Sequence, residues 1–140
     1  MIRTNEEAGK SLKELRKLEQ QKKEQELREK CEALAMERYG EERIKQLSNK
    51  HKGLFYLPIL DESEHAVEKM AILKPIDRHI LSYASTKIED EGLYNFLGAV
   101  LDSCWIEGDE EIKTDDEYFI PACGKINKII EGKKAALVKR

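Results

Sequence analysis

The sequence predicts a mainly α protein of the α+β class, in which a long charged N-terminal helix precedes a small β-hairpin and three further helices. Three observations carry this prediction. Residues 5–38 have no Pro and no Gly after Gly9, and they are dominated by Lys, Glu, Gln, Leu and Arg, all good helix formers. Two short apolar runs, 54–60 and 65–73, flank a polar Asp61-Glu62-Ser63 turn and read as paired strands. From Pro75 onward, apolar residues recur at helical spacing in three blocks separated by Gly and Asp.

Each element has its own local cause. In the first helix Glu19–Lys23, Glu24–Arg28 and Glu26–Lys30 stand at i,i+4 spacing with the acid N-terminal, the favourable order. About 30 helical residues would span roughly 45 Å, more than a small domain can cover. Leu12, Leu15 and Leu18 form one short stripe, and Leu27, Cys31 and Leu34 a second at a/d spacing. Gln20 to Lys23 lie between them, so the heptad is broken. Three readings stay open for this helix: a solvated, partly frayed rod, a weak coiled coil, or a helix that docks on a partner.

Gly40 interrupts, Glu41 to Ser48 can add one or two turns, and Asn49 to Gly53 read as a polar linker. The expected organisation is therefore an arm and linker over 1–52, a compact hairpin-plus-helices domain over 53–132 and a basic tail over 133–140. In the compact domain Pro58 cannot donate to a ladder, so its strand either lies at a sheet edge or is broken there. Two strands alone are marginal in water, so helices should cover one face. Pro75 suits a first helical position, with Ile76, Ile80, Leu81, Ala84 and Ile88 forming one apolar face. Asp90 to Gly92 separate it from a second helix running to Trp105. Gly108 and Asp109 then turn the chain, and Asp115 or Asp116 caps a third helix that ends at Gly132. Trp105, Phe96 and Phe119 are the expected heaviest core residues.

Composition narrows the functional classes. Charged residues are 38% of the chain and aromatics 6%, against roughly 25% charged in ordinary globular proteins. Residues 1–52 hold 14 basic against 11 acidic residues, whereas residues 53–140 hold 11 against 17. Between Thr86 and Tyr118 there are 11 carboxylates and two lysines, Lys87 and Lys113. That surface would repel a polyanion, so no nucleic-acid partner is expected. No apolar run is long enough for a membrane span, and Met1 to Lys10 lack the apolar stretch of a signal peptide; a cytoplasmic protein is expected.

No enzyme motif is found: there is no glycine-rich phosphate loop, no GxSxG and no HExxH. His51, His65 and His79 fall in three different elements, and no nucleophile or orienting carboxylate is placed by spacing. Cys31, Cys104 and Cys123 are odd in number, far apart and without a CxxC pair, so reduced structural thiols are expected rather than a disulfide framework or zinc site. The acidic stretch from Glu107 to Glu117 fails the EF-hand pattern, because a loop starting at Asp109 puts Lys113 at a ligand position. The expectation is a non-enzymatic chain with no catalytic, metal or cofactor residues. The partner-binding candidates are the stripe leucines Leu12, Leu15, Leu27 and Leu34, Trp105 as an anchor, and Asp109 and Asp116 as an acidic docking surface.

The order Ala-Ile-Leu-Lys74-Pro75, then Ser82-Tyr-Ala-Ser, then Leu101-Asp-Ser-Cys104-Trp105-Ile-Glu-Gly108-Asp109, then Asp115-Asp116 and a closing helix resembles the tail assembly chaperones of siphophages and their prophages, particularly those of gut Bacteroidetes. The similarity covers Met70 to about Glu131. Those proteins share a strand, a lysine–proline step and a helix, followed by a Cys-Trp, Gly, acidic turn. The N-terminal helix is longer and more charged than expected before such a domain. The family often carries a ribosomal frameshift extension, and an A-rich run encoding Lys133-Lys134 would suit one. The resemblance implies a chaperone that coats the tape-measure protein in many copies, in the host cytoplasm, and is absent from the finished virion. Two alternatives stay open: a stable virion component (head, connector, tail or packaged cargo) and a coiled-coil adaptor.

Overall fold

A computed structural model describes residues 5–86, 92–132 and 135–140. The protein is mainly α with a three-stranded antiparallel sheet. The chain divides into two compact units, Met1–Glu41 and Glu42–Arg140.

The first unit is helix α1 (Asn5–Tyr39). Every residue from 12 to 26 is exposed, so intrinsic helix propensity holds this stretch rather than a core. Exposed Gln25 donates to Glu29 at 3.2 Å, and Arg28 to Gln25 at 3.3 Å. Gly40, at φ +85°, ends the helix while its N–H donates to the Met36 carbonyl at 3.0 Å.

The division falls ahead of the expected linker at Gly53, for a physical reason. Asn49 to His51 are helical, completing α2 (Glu41–His51), and this helix belongs with the compact domain. Its Ile44 is buried, and Arg43 bonds Glu107 at 2.8 Å. The chain turns only at Lys52 and Gly53, both with positive φ.

Strands β1 (Phe55–Leu60) and β2 (Val67–Leu73) pair antiparallel, from Phe55 opposite Leu73 to Leu60 opposite Val67. β1 is an edge strand, one of the two outcomes that Pro58 allows. The turn between them is longer than expected, and β2 starts at Val67 rather than His65. The Asp61 carboxylate organises it, accepting from the Ser63 hydroxyl at 2.8 Å and from the backbone N–H groups of His65 and Ala66 at 3.2 and 3.3 Å.

Helix α3 (Arg78–Ser85) begins at Asp77, not Pro75. The Lys74 N–H donates to the Cys104 carbonyl at 2.8 Å, which holds the Lys74–Pro75 step extended beside the sheet. Asp77 then caps the helix by accepting from the Ile80 N–H at 2.8 Å. The expected C-terminal turn with Ile88, and the Asp90-Glu91 break, lie outside the described residues. Helix α4 (Leu93–Cys104) runs directly into a third strand, β3 (Trp105–Gly108), where a helix end and a turn were expected. A short helix α5 (Glu111–Thr114) follows, then α6 (Asp116–Glu131), capped by Asp115, whose carboxylate accepts from the Glu117 N–H at 3.0 Å.

β2 is the centre of the sheet and is buried on both faces. Ala71 and Leu73 join Leu57, Leu97, Leu101, Ile112, Ala122 and Ile126 in the main core beneath α3, α4 and α6. Met70 and Ile72 point the other way, yet are also 0% exposed. Glu107 stands opposite Ile72 and bonds Arg43, which ties α2 to β3.

The aromatic residues also differ from expectation. Trp105, Phe96 and Phe119 only rim the core, while the largest fully buried side chains are aliphatic, among them Met70, Ile72, Leu73, Leu101, Ile112 and Ile126. Each such aliphatic burial is worth about 1.5–3 kcal/mol. Phe119 packs edge-on against Gly98, where a Cβ would come within 3.0 Å of its ring.

The β2–β3 junction is a close backbone contact. Gly108 sits opposite Ala71 at φ +155°, and a Cβ there would lie 2.6 Å from the Ala71 Cα. Beyond it Asp109 makes a reciprocal pair with Met70. Its carboxylate accepts from the Met70 N–H at 2.9 Å and its own N–H donates to the Met70 carbonyl at 3.0 Å. Gly108→Ala is therefore expected to cost about 2–4 kcal/mol in urea unfolding, from backbone strain and overlap together. Asp109→Ala should cost about 1–3 kcal/mol by leaving the Met70 N–H unpaired. Gly124→Ala, inside α6 with nothing within 4 Å of the added Cβ, should instead stabilise by about 0.5–1 kcal/mol. Equal destabilisation by all three would contradict this account of the junction.

Candidate interaction surfaces

The acidic stretch that looked like a docking surface is largely used up within the fold. Glu107 bonds Arg43 at 2.8 Å, Glu111 lies 3.8 Å from Lys69, and Lys113 reaches Asp102 at 3.2 Å and Glu110 at 3.7 Å. Lys113 also stands 4.3 Å above the Trp105 ring. Exposed ion pairs of this kind contribute only about 0–1 kcal/mol each, but together they neutralise charge that would otherwise repel. Trp105, the expected anchor, opens the short strand β3 and packs against the core, and Asp109, expected in the acidic docking surface, follows it and hydrogen-bonds β2. Asp116 is exposed in the first turn of α6, where its charge suits the helix N-terminus.

The stripe leucines behave differently along α1. Leu12, Leu15 and Leu18 are 57%, 53% and 61% exposed, whereas Leu27 and Leu34 are half-buried. The first group is thus the apolar surface that α1 offers to solvent. Leu18 belongs with Leu12 and Leu15, since the three share one side at i,i+3 spacing.

The second unit carries several open grooves, of which two bear on the argument. One, of about 590 Å³, runs between α3, α4 and α6, with Tyr83 and Tyr94 at its rim and Gly98 and Phe119 in its floor. The other, of about 390 Å³, lies between β1 and the start of α6 over Pro58, Leu60 and Pro121. Tyr118 borders this second groove and donates to Glu68 at 2.9 Å. That hydrogen bond, with some desolvation and the nearby Glu117 and Asp115, raises the Tyr118 phenol to about 12. Neither groove was visible in the sequence, because each is assembled from elements far apart in the chain. The exposed Tyr83 gave the one local sign, since it falls off the Ile80–Ala84 face of α3.

His51 lies at the end of α2, His65 in the β1–β2 turn and His79 on α3. Among the described residues no group of three or more His, Cys, Asp or Glu side chains is placed to hold a metal ion. No helix among them is long and apolar enough to cross a membrane.

All three cysteines are free and buried. Burial raises the Cys104 and Cys123 thiols from their ordinary 9.0 to about 11. The folded chain therefore keeps these protons at a pH where the unfolded chain loses them. Their contribution to stability is intact below pH 9 and declines as pH rises from about 9 to 11. At pH 8 a thiol reagent is expected to label neither Cys104 nor Cys123 until denaturant is added. Rapid labelling of either in the native protein would contradict the packing described.

No protein family, no curated protein and no solved structure matches this chain.

Proposed function

We propose that this chain is a non-enzymatic phage morphogenesis protein, a tail assembly chaperone that binds the tape-measure protein in the host cytoplasm. The observation that carries the reading is the row Leu12, Leu15 and Leu18, more than half exposed on a helix whose neighbouring residues are all solvated. Each leucine would bring about 1.5–3 kcal/mol if fully buried. A single docked arm would bind weakly, and many copies lined along one long helical partner would bind well. The acidic second unit, with 17 acidic against 11 basic residues over 53–140, would keep such a loaded assembly soluble.

The residues of the family resemblance are consistent with a shared fold. Lys74 and Cys104 are joined by a backbone hydrogen bond, and Gly108 and Asp109 close β3 onto β2. Such residues position an element rather than contact a partner, which fits a resemblance concentrated in Met70 to Glu131 while the binding surface lies in α1.

Co-expression with the tape-measure protein from the same phage genome tests the proposal. The full chain is expected to co-purify with it. Leu12→Lys, Leu15→Lys and Leu18→Lys together should reduce recovery about tenfold or more, with unfolding of the second unit unchanged. Failure to co-purify would overturn the reading. So would stoichiometric amounts of the chain in purified particles, which would make it a virion component instead.

A further inference from the structure

The groove between β1 and α6 has a complement elsewhere in the same chain. Its apolar floor is Pro58, Ile59, Leu60 and Pro121. Glu62, Glu64 and Glu117 border it, and none of these three carboxylates is in an ion pair or side-chain hydrogen bond among the described residues. Two other carboxylates on its border are engaged, Asp61 with the turn and Glu68 with Tyr118, and Lys125 is the one cation lining it. β1 is an edge strand there, but Pro58 has no N–H, so a ligand would be held by side chains more than by strand addition.

The complement is residues 135–140, Ala-Ala-Leu-Val-Lys-Arg, which form neither helix nor strand. Leu137 and Val138 are 104% and 90% exposed, so within one molecule the segment is not seated on the groove or on anything else. Two exposed aliphatic side chains followed by Lys139 and Arg140 match an apolar floor with a carboxylate border. We propose that this groove receives residues 135–140 of a second copy of the chain, with Leu137 and Val138 on the floor and Lys139 and Arg140 facing Glu62, Glu64 and Glu117. Groove and tail are different surfaces, so the contact is head-to-tail and adds copies in series. This inference does not depend on which protein α1 binds.

Sedimentation of the full chain over a wide concentration range tests it. The mass should rise with concentration, and added salt should weaken the association. Leu137→Ser with Val138→Ser, placed outside the folded core, should raise the concentration for half-association about tenfold or more without changing thermal unfolding. Glu62→Lys with Glu64→Lys should do the same, and adding Lys139→Glu with Arg140→Glu to that variant should restore association. A chain that is monomeric throughout overturns the proposal. Association that survives both pairs of changes but is lost with Leu12→Lys, Leu15→Lys and Leu18→Lys also overturns it, and assigns self-contact to α1.

Discussion

The second unit depends on how closely β3 can approach β2. A strand buried on both faces leaves its backbone groups no access to water, so each must find a partner within the protein. For β2 the ladder to β1 supplies one side, and the short strand β3 with the Asp109 carboxylate supplies the other. Only glycine at position 108 lets the two backbones meet at this distance. Once β3 is seated, α4 is held at one of its ends and α5 and α6 at the other, and the aliphatic core closes beneath them. The Arg43–Glu107 contact ties α2 to β3 as well. In the first unit residues 12–26 have no such centre, and helix propensity supports them.

This contrast explains what was legible in the sequence. The first helix was read almost to its ends because its signal is local: uninterrupted helix formers, i,i+4 pairs and a terminating glycine. Pro58 narrowed β1 to an edge strand or a broken one, and the strand lies unbroken at the edge. Asp115 was recognisable as a cap because capping is a property of four neighbouring residues. β3 was missed because four residues, Trp105 to Gly108, carry no period of their own. They are a strand only because β2 lies alongside. The start of α3 was misplaced for a similar reason: the Lys74 hydrogen bond to Cys104, thirty positions away, overrides the local preference of Pro75 for a helix start.

Among the surface residues the same division holds. Leu12 and Leu15 could be picked out because an apolar stripe on a charged helix is a local pattern, and they are exposed. Asp109 was chosen for its charge, yet its carboxylate serves the β2–β3 junction, a use that depends on a residue 39 positions earlier. The acidic stretch as a whole read as a free surface because its countercharges, Arg43, Lys69 and Lys113, come from three different elements. Folding pairs part of that stretch and leaves Glu117, with Glu62 and Glu64, on the border of the β1–α6 groove. The resulting molecule offers a leucine row, an aromatic-rimmed groove and an acid-bordered groove.

Hydrogen exchange followed by mass spectrometry tests most directly the claim that an exposed helix is joined to a packed, sheet-centred unit. Amides of Met70 to Leu73 and of α4 should exchange only through large-scale opening, while those of residues 12–26 should exchange orders of magnitude faster, on the scale of local fraying. Protection of residues 12–26 equal to that of β2 would mean that one continuous core absorbs the helix, and would contradict the account.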